Sequence, residues 1–167
     1  MPETTRRITP AALSPDAWAP FGWLPVADTD PRDGEARLEF LWDDVHVNRI
    51  GHRRDEVPVV PGGLSCRELF RHDTHTQVVM PLDVNSVVVV APAQAEMTSP
   101  DDADRLRAFI VPVLTAVVLH RGTWHWGPYP VGAESVTLLN VQGLRYREDN
   151  ARVDLAAVGA SVDIVTG

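Results

Sequence analysis

The sequence contains no lysine, because all 15 of its basic residues are arginine. This absence excludes a Schiff-base lysine, a pyridoxal-phosphate lysine and the phosphate-binding lysine of a P-loop. The sequence also has a single cysteine, Cys66, which excludes an intrachain disulfide framework and a cysteine-rich zinc module. We therefore expect a protein of a reducing compartment, the cytoplasm.

Positive charge and long apolar runs are scarce as well. The formal net charge is −8, so a phosphate backbone would be repelled and nucleic-acid binding is not expected. The longest apolar run, at 87–93, is too short to cross a bilayer. The first residues lack the apolar stretch of a signal peptide. The sequence thus predicts a soluble protein without membrane or nucleic-acid partners.

Helical periodicity is nearly absent, and the rest of the chain indicates an all-β fold. Ser14 can cap one short helix over 14–19, with Pro15 in its first turn. Elsewhere short β-branched runs alternate with turn residues, as is typical of a barrel or sandwich. The predicted strands are 38–41, 46–50, 64–72, 76–80, 86–91, 106–111, 116–120 and 135–141.

No linker or repeat divides the chain, so we expect one domain over 1–167. The runs 87–90 and 136–141 are nearly unbroken in their apolar character, which predicts strands that are buried on both faces. The segment 149–167 is expected to be a C-terminal tail, either a docking helix or a loose end.

Two polar segments are candidates for a functional site. In a strand, Glu68, Phe70 and His72 share one face, and Gln77 in the next strand can lie beside His72. The second segment, 119–128, brings in His125 between two tryptophans. Imidazole with carboxylate or amide oxygen is a suitable shell for a divalent metal ion. The alternative is that each histidine is an ordinary hydrogen-bonded strand residue. For His46 and His52, a structural role and a functional role are equally open.

Ordered sequence blocks from about residue 8 to about residue 143 resemble the ureidoglycolate lyase family, formerly called ureidoglycolate hydrolase, of the cupin superfamily. The resembling blocks are Leu13–Gly22, Val47–Arg49, Glu68–His72, Thr76–Pro81, Val87–Ala91, Leu106–Ile110 and His120–His125. The resemblance implies a cupin-type β-barrel or jelly roll, usually as a homodimer. It also implies an enzyme that splits ureidoglycolate into glyoxylate and urea in allantoin and purine breakdown, a carbon–nitrogen lyase of the amidine-lyase type.

The resemblance also implies roles for particular residues. A divalent metal ion has been associated with the family, and His72, Gln77 and His125 match the cupin ligand positions. For the catalytic base we expect Glu68 or His120.

An arginine would anchor the carboxylate of the small-molecule substrate. The candidates for this role are Arg49, Arg71 and Arg121, with Arg71 disfavoured because strand alternation places it opposite His72. Trp124 and Trp126 flank His125 and are expected to wall the pocket.

The sequence departs from the family at four places. Trp126 stands where a second histidine is usual, Phe70 where an acidic residue is frequent, and His75 where glycine is common. The last strand has Asn140–Gln142 where the family has an Asp-Arg pair. These departures leave two alternatives open. One is a metal-dependent cupin isomerase, dehydratase or lyase that acts on another small hydroxy- or ureido-acid, and the other is a non-catalytic cupin that binds a small carboxylate.

Overall fold

The structure, a computed structural model, describes residues 2–167. Within this range the chain forms fifteen strands, one α-helix and three 3₁₀ turns. The strands are β1 (Thr4–Ile8), β2 (Ala11–Ala12), β3 (Gly22–Trp23), β4 (Val45–Arg53), β5 (Val59–Val60), β6 (Gly63–Cys66), β7 (Glu68–Arg71), β8 (Gln77–Pro81), β9 (Ser86–Ala91), β10 (Arg107–Val111), β11 (Val117–Leu119), β12 (Trp124–Pro130), β13 (Ser135–Gly143), β14 (Ala151–Asp154) and β15 (Ala160–Val165). The helix α1 spans Pro15–Trp18, and the 3₁₀ turns span Arg54–Glu56, Pro100–Arg105 and Ala156–Val158. Across residues 2–167, no helix has the length and apolar character that a membrane crossing requires.

The short helix α1 fixes the N-terminal segment to the core. Ser14 caps it by accepting a hydrogen bond from the backbone N–H of Ala17, and Pro15 occupies its first turn, as the sequence predicts. Trp18 is fully buried, and its indole Nε1 donates a 2.9 Å hydrogen bond to the carbonyl of Val118 in β11. The helix thereby holds the start of the chain against the sheet that carries β11.

The strands form three sheets. The four-stranded sheet has the order β1-β15-β6-β5, the six-stranded sheet β14-β7-β12-β9-β10-β2, and the five-stranded sheet β3-β11-β8-β13-β4. The six-stranded sheet lies between the other two, as its central strand β9 shows. Val87 and Val89 of β9 belong to an apolar cluster shared with the four-stranded sheet, whereas Val88 and Val90 belong to a second cluster shared with β8 and β11. Strand β9 is therefore buried on both faces, as its unbroken apolar run predicts.

This architecture is an all-β jelly roll with a short N-terminal helix, which confirms the predicted fold class. Each sheet ends at edge strands, for example β3 and β4 in the five-stranded sheet, so the hydrogen-bonded ladders do not close into one continuous ring. The space between the five- and six-stranded sheets is filled at one end by the apolar cluster of Trp18, Phe21 and Phe109. The opposite end of this space is polar and holds the candidate site.

Several element predictions were wrong. The expected strand 38–41 contributes only one isolated bridge, between Phe40 and His75. The expected strand 64–72 breaks at Arg67 into β6 and β7, which belong to different sheets. Strand β13 is buried on one face only, because its side chains alternate between the interior and the outer face.

The C-terminal segment is also not the tail that the sequence led us to expect. It forms β14, which pairs with β7, and β15, which lies between β1 and β6. Val162 and Ile164 of β15 are fully buried in the core. The end of the chain is thus an integral part of two sheets.

Candidate active site

A cavity of about 290 Å³ opens at the polar end of the space between the five- and six-stranded sheets. It is lined by Asn48, Ile50, His52, Phe70, His72, Gln77, His125, Trp126, Gly127, Tyr129, Gln142, Tyr146 and Asn150. No aspartate, glutamate or arginine is among these side chains. A wider groove of about 580 Å³ lies on the outer side of the five-stranded sheet, but it has no histidine in its wall. The smaller cavity therefore holds the reactive groups.

Strand alternation and register bring the reactive side chains together. Phe70 and His72 point into the cavity from the end of β7, and Phe70 is directly opposite His125 of β12. The His72 and His125 rings have centroids 5.4 Å apart. Gln77 enters from the first residue of β8. The expected proximity of these three side chains is thus what the fold produces.

The orientation of His72 is set by the loop that follows β13. Its Nδ1 lies 2.7 Å from the carbonyl oxygen of Asp149, and because a carbonyl only accepts, Nδ1 carries the proton. The other ring nitrogen, Nε2, then has a free lone pair. Burial lowers the pKa of His72, so the ring is neutral near pH 7.

His125 is arranged in the same way. Its Nδ1 donates to the carbonyl of Thr123 at 3.2 Å, which leaves Nε2 as the acceptor. Burial, followed by the neighbouring His72, lowers the pKa of His125 to about 3. Two neutral imidazoles with fixed tautomers therefore meet in one cavity, as metal-binding histidines do when a carbonyl holds the second ring nitrogen.

A network of amides fixes the third member of this set. Gln77 Nε2 donates to Asn140 Oδ1 at 2.8 Å and to Gln142 Oε1 at 3.3 Å. Asn140 Nδ2 in turn donates to Asn48 Oδ1 at 2.8 Å. The Oε1 atom of Gln77 is buried and has no hydrogen-bond partner within the described chain. A buried acceptor without a hydrogen-bond partner lowers the stability of the fold unless a bound ligand interacts with it.

These three groups fit a divalent metal ion. Two neutral imidazole nitrogens and one amide oxygen are a mixed nitrogen and oxygen set of the kind such ions accept. Within residues 2–167, no group of three or more His, Cys, Asp or Glu side chains is placed to hold a metal ion. Any metal site here would therefore depend on the Gln77 amide as its third protein ligand.

His75 supports His72 from behind. It is 2% exposed, stacks on the His72 ring at a centroid distance of 4.7 Å, and does not line the cavity. Burial, with the neighbouring His72, lowers the pKa of His75 to about 4. The residue therefore acts as packing for the functional ring.

Asp149 ties the loop after β13 to the turn between β7 and β8. Its carboxylate accepts from the backbone N–H of Asp73 at 3.1 Å, and from the backbone N–H and hydroxyl of Thr74 at 2.6 and 2.5 Å. Burial acts to raise the pKa of this carboxyl, but the hydrogen bonds from Thr74 and Asp73 outweigh it and hold the pKa below its usual range. We call these three hydrogen bonds the Asp149 clamp. Because the carbonyl of the same residue orients His72, the clamp is linked to the site.

His52 is the cavity residue with its own acidic partner. It projects inward from β4, and its Nδ1 lies 3.1 Å from Glu56 Oε2 in the 3₁₀ turn that follows. Its ring also packs on Tyr129 at a centroid distance of 4.9 Å. Because the carboxylate engages Nδ1, Nε2 is the ring nitrogen left to exchange a proton.

The residues expected to supply the base lie outside the cavity wall. Glu68 is on the same strand as His72, but it sits at the far end of β7, where it pairs with Arg152 at 2.6 Å. His120 follows β11 and packs on Trp23, away from the cavity. The fold therefore brings neither residue to the cavity wall, and their predicted role as catalytic base stays a prediction.

The expected arginine anchors are outside the cavity wall as well. Arg49 is on the exposed face of β4, because Asn48 and Ile50 take the inward positions. Arg71 lies over the Trp124 ring and beside Asp73, and Arg121 pairs with Glu39 at 3.0 Å.

Both tryptophans are buried in the apolar cluster that the six-stranded sheet shares with the four-stranded sheet, Trp124 at 6% and Trp126 at 2% exposure. The indole of Trp124 donates to the carbonyl of Ala95, and Trp126 only borders the cavity.

Sequence reasoning missed the contribution of β4 and of the loop after β13. Asn48, Ile50 and His52 alternate with exposed residues along β4, and this alternation could have placed His52 on the same face as Asn48. Tyr146 and Asn150 lie in a loop with no regular pattern. Their positions depend on the Asp149 clamp, which local sequence does not reveal.

Comparison with known proteins gives one family match. A family model described as ureidoglycolate lyase matches residues 44–162, a range that contains every residue of the cavity wall. No curated protein matches the chain.

Solved structures give distant matches. A variant of oxalate decarboxylase from Bacillus subtilis has 16% identity over 67% of this chain and a TM-score of 0.41; the chain spans 24% of that protein's length. A dTDP sugar isomerase from Desulfovibrio desulfuricans has 13% identity, with 80% of this chain and 74% of that one covered, and a TM-score of 0.48.

Proposed function

Because the chain belongs to the ureidoglycolate lyase family, we propose that it is a carbon–nitrogen lyase that splits ureidoglycolate into glyoxylate and urea. The reaction takes place in the cavity between the five- and six-stranded sheets. The observation that carries this proposal is the meeting of the His72 and His125 rings with the unpartnered Oε1 of Gln77 in one confined space.

The cavity suits a small polar substrate. Ureidoglycolate has a hydroxyl, a carboxylate and a ureido nitrogen on one carbon, and the wall offers several neutral donors. The oxygens of Asn48 and Gln142 accept bonds within the amide network, so their NH₂ groups are left to donate. The substrate carboxylate can therefore bind to amide donors and to the hydroxyl of Tyr146, without the arginine that the sequence led us to expect.

His72, His125 and Gln77 would hold a divalent metal ion. When bound, such an ion supplies positive charge to the otherwise neutral wall and acidifies a substrate hydroxyl. The chain's own contribution is to fix both imidazole tautomers through the carbonyls of Asp149 and Thr123. The two metal-binding imidazoles are thereby ordered before the substrate arrives, which lowers the entropic cost of binding at this site.

His52 takes the role of the base. In this mechanism His52 removes the substrate hydroxyl proton, and the electron pair of that oxygen forms the carbonyl of glyoxylate. The carbon–nitrogen bond breaks, its electron pair leaves with the urea nitrogen, and that nitrogen receives the proton back from His52. Glu56 stabilises the transient imidazolium through the Nδ1 contact at 3.1 Å. No net proton is consumed.

One observation favours a second candidate function. Gln142 of the altered last strand lies in the cavity wall, and Asn140 of the same strand accepts a hydrogen bond from the Gln77 amide at 2.8 Å. Neutral amides where the family usually has an Asp-Arg pair change the groups that the site offers to a substrate. A lyase, dehydratase or isomerase reaction on another small hydroxy- or ureido-acid is therefore the alternative.

Family membership also leads us to propose that the protein works in the cytoplasm and as a homodimer.

The test is the release of glyoxylate and urea from ureidoglycolate, with spontaneous breakdown subtracted. We expect equal amounts of both products, loss of activity with a chelator, and recovery after a divalent metal ion is added back. Absence of turnover with every metal ion tested would contradict the proposal. Turnover of another hydroxy-acid in a parallel screen would then favour the alternative.

A further inference from the structure

One arginine is bonded to the wall of the cavity from outside. The Nε–H of Arg147 donates a hydrogen bond to the hydroxyl oxygen of Tyr146 at 3.2 Å, and the Tyr146 side chain lines the cavity. The guanidinium carbon also lies 5.7 Å from the centre of the Tyr146 ring. Within residues 2–167, no other arginine forms a hydrogen bond with a side chain of this wall.

The charge of Arg147 is not neutralised by the chain itself. Arg145, in the same loop, pairs with Asp44 at 3.4 Å and lies over the Trp42 ring. Arg147, by contrast, is exposed and forms no ion pair within residues 2–167. A guanidinium keeps its charge near pH 7. The molecule has a net charge of −8, so an unneutralised positive charge beside the cavity favours the approach of an anion there.

The backbone is held on both sides of this pair of residues. Before it, the backbone N–H of Leu144 donates to the carbonyl of Asp44 at 2.8 Å. After it, the Asp149 clamp fixes the loop to the turn between β7 and β8. The Tyr146 ring also meets the His72 ring edge-on, with centroids 6.3 Å apart and an interplanar angle of 87°. The position of the Tyr146 hydroxyl is therefore determined by anchored backbone and by ring packing.

The bond from Arg147 decides what the Tyr146 hydroxyl can offer to a ligand. A phenolic hydroxyl both donates and accepts, whereas a guanidinium only donates. The oxygen of Tyr146 is thus the acceptor in this bond, and the hydroxyl proton is left to donate to another group. A neighbouring positive charge strengthens that donation, and a charged acceptor gains more from it than a neutral one.

We propose that Arg147 is the positioning residue of a carboxylate subsite, in which it holds the Tyr146 hydroxyl as a donor and makes the cavity select a carboxylate over a neutral amide. This inference rests on the proposed function, because it assigns the group that recognises the carboxylate of ureidoglycolate. The amide groups of Asn48 and Gln142 donate equally well to charged and neutral acceptors, so the selection comes from Tyr146 and Arg147. Arg147 acts through Tyr146 and does not contact the substrate.

Steady-state kinetics tests the positioning role. Tyr146→Phe keeps the ring that packs on His72 and removes only the hydroxyl, and Arg147→Gln removes the charge. The matched control is Arg7→Gln, which removes an exposed arginine of β1 that also has no ion pair in the described chain. We expect Tyr146→Phe and Arg147→Gln each to raise KM about 10-fold with kcat within about twofold of wild type, the pattern of lost substrate binding. Arg7→Gln should match wild type.

The double variant shows whether the two residues act as a unit. If Arg147 acts through Tyr146, the protein with both substitutions should have the KM of Tyr146→Phe alone. Additive losses, a loss confined to kcat, or a KM for Arg147→Gln equal to that of Arg7→Gln would overturn the positioning role while the proposed reaction stands.

Isothermal titration calorimetry with two small probes gives a readout that does not depend on turnover. Glycolate carries a hydroxyl and a carboxylate, and glycolamide replaces the carboxylate by a neutral amide of similar size. We expect wild type to bind glycolate at least about 10-fold more tightly than glycolamide, and Tyr146→Phe and Arg147→Gln to lose most of this preference through weaker glycolate binding. A wild type without the preference, or an Arg147→Gln variant that keeps it, would overturn the subsite. A preference that depends on Arg147 in a protein that releases no glyoxylate would support the subsite and contradict the proposed reaction.

Discussion

Replacing Asp149 by alanine tests whether the loop after β13 holds the catalytic imidazole in place. The carboxylate accepts three hydrogen bonds, two from backbone N–H groups of Asp73 and Thr74 and one from the Thr74 hydroxyl. All three donors lie in the turn between β7 and β8, immediately after His72. The substitution therefore cuts the connection between two segments that both touch this ring.

The magnitude follows from those three bonds. A hydrogen bond to a charged acceptor contributes about 1.5–3 kcal/mol, but donors in a partly exposed turn recover part of this from water. We expect a loss of about 3 kcal/mol in the free energy of unfolding. A domain of this size has about 5–15 kcal/mol, so the variant should remain folded at 25 °C.

Urea denaturation and steady-state kinetics measure the two effects separately. Alanine retains the backbone carbonyl that fixes the tautomer of His72, but loss of the carboxylate frees the loop that positions this carbonyl. We therefore expect kcat/KM to fall about 10- to 100-fold, as for other residues that orient a ligand. The matched control is Glu148→Ala, which removes the neighbouring exposed carboxylate, a side chain without hydrogen bonds in the described chain. An Asp149→Ala variant within about 1 kcal/mol of wild type would refute the reasoning.

Four further substitutions separate functional from structural residues. His52→Gln keeps a donor for Glu56 but cannot carry a proton, so kcat should fall at least about 100-fold with unchanged thermal stability; near-normal kcat would exclude His52 as the base. Glu68→Gln and His120→Asn should leave kcat/KM close to wild type, and a large loss in either would return the base role to that residue. Asp102→Asn should destabilise the protein at pH 7. Hydrogen bonds from Thr98 and then Ser99 lower the pKa of the Asp102 carboxyl, so its contribution is present above the unfolded pKa and is lost as the pH falls through the folded value; a difference between the two proteins that persists in acid would contradict this.

Alternation explains what the sequence could establish about the fold. The apolar run in β9 has no polar face, and the strand is indeed buried between two clusters. The spacing of Phe70 and His72 placed both on one face of β7, and the structure puts both in the cavity wall. The local sequence is sufficient to predict these placements, because alternation along a single strand assigns its side chains to two faces.

Alternation does not show where along a strand a residue lies relative to the cavity, nor which of the two faces of a strand points inward. Glu68 shares a face with His72, yet it lies at the other end of β7, where β14 supplies Arg152 as its partner. Arg49 alternates with Asn48, but only the pairing of β4 with β13 shows which of the two faces is inward. Local sequence could not show either placement, because the neighbouring strand is distant in sequence.

The remaining misses have similar causes. Strand β12 contains Gly127 and two prolines, which are turn signals, but an irregularity in its register between Trp126 and Tyr129 accommodates them within the sheet. Asp149 was assigned to a tail, although its bonds reach residues more than 70 positions earlier. Contacts of such sequence separation leave no periodic signal.

The most direct test of the central claim compares wild type with His125→Ala for glyoxylate and urea release from ureidoglycolate, with the fold of both proteins verified by circular dichroism. The cavity mechanism predicts turnover well above spontaneous breakdown for wild type and none for the folded variant. A folded His125→Ala variant that releases both products at the wild-type rate would show that the reaction does not depend on this cavity.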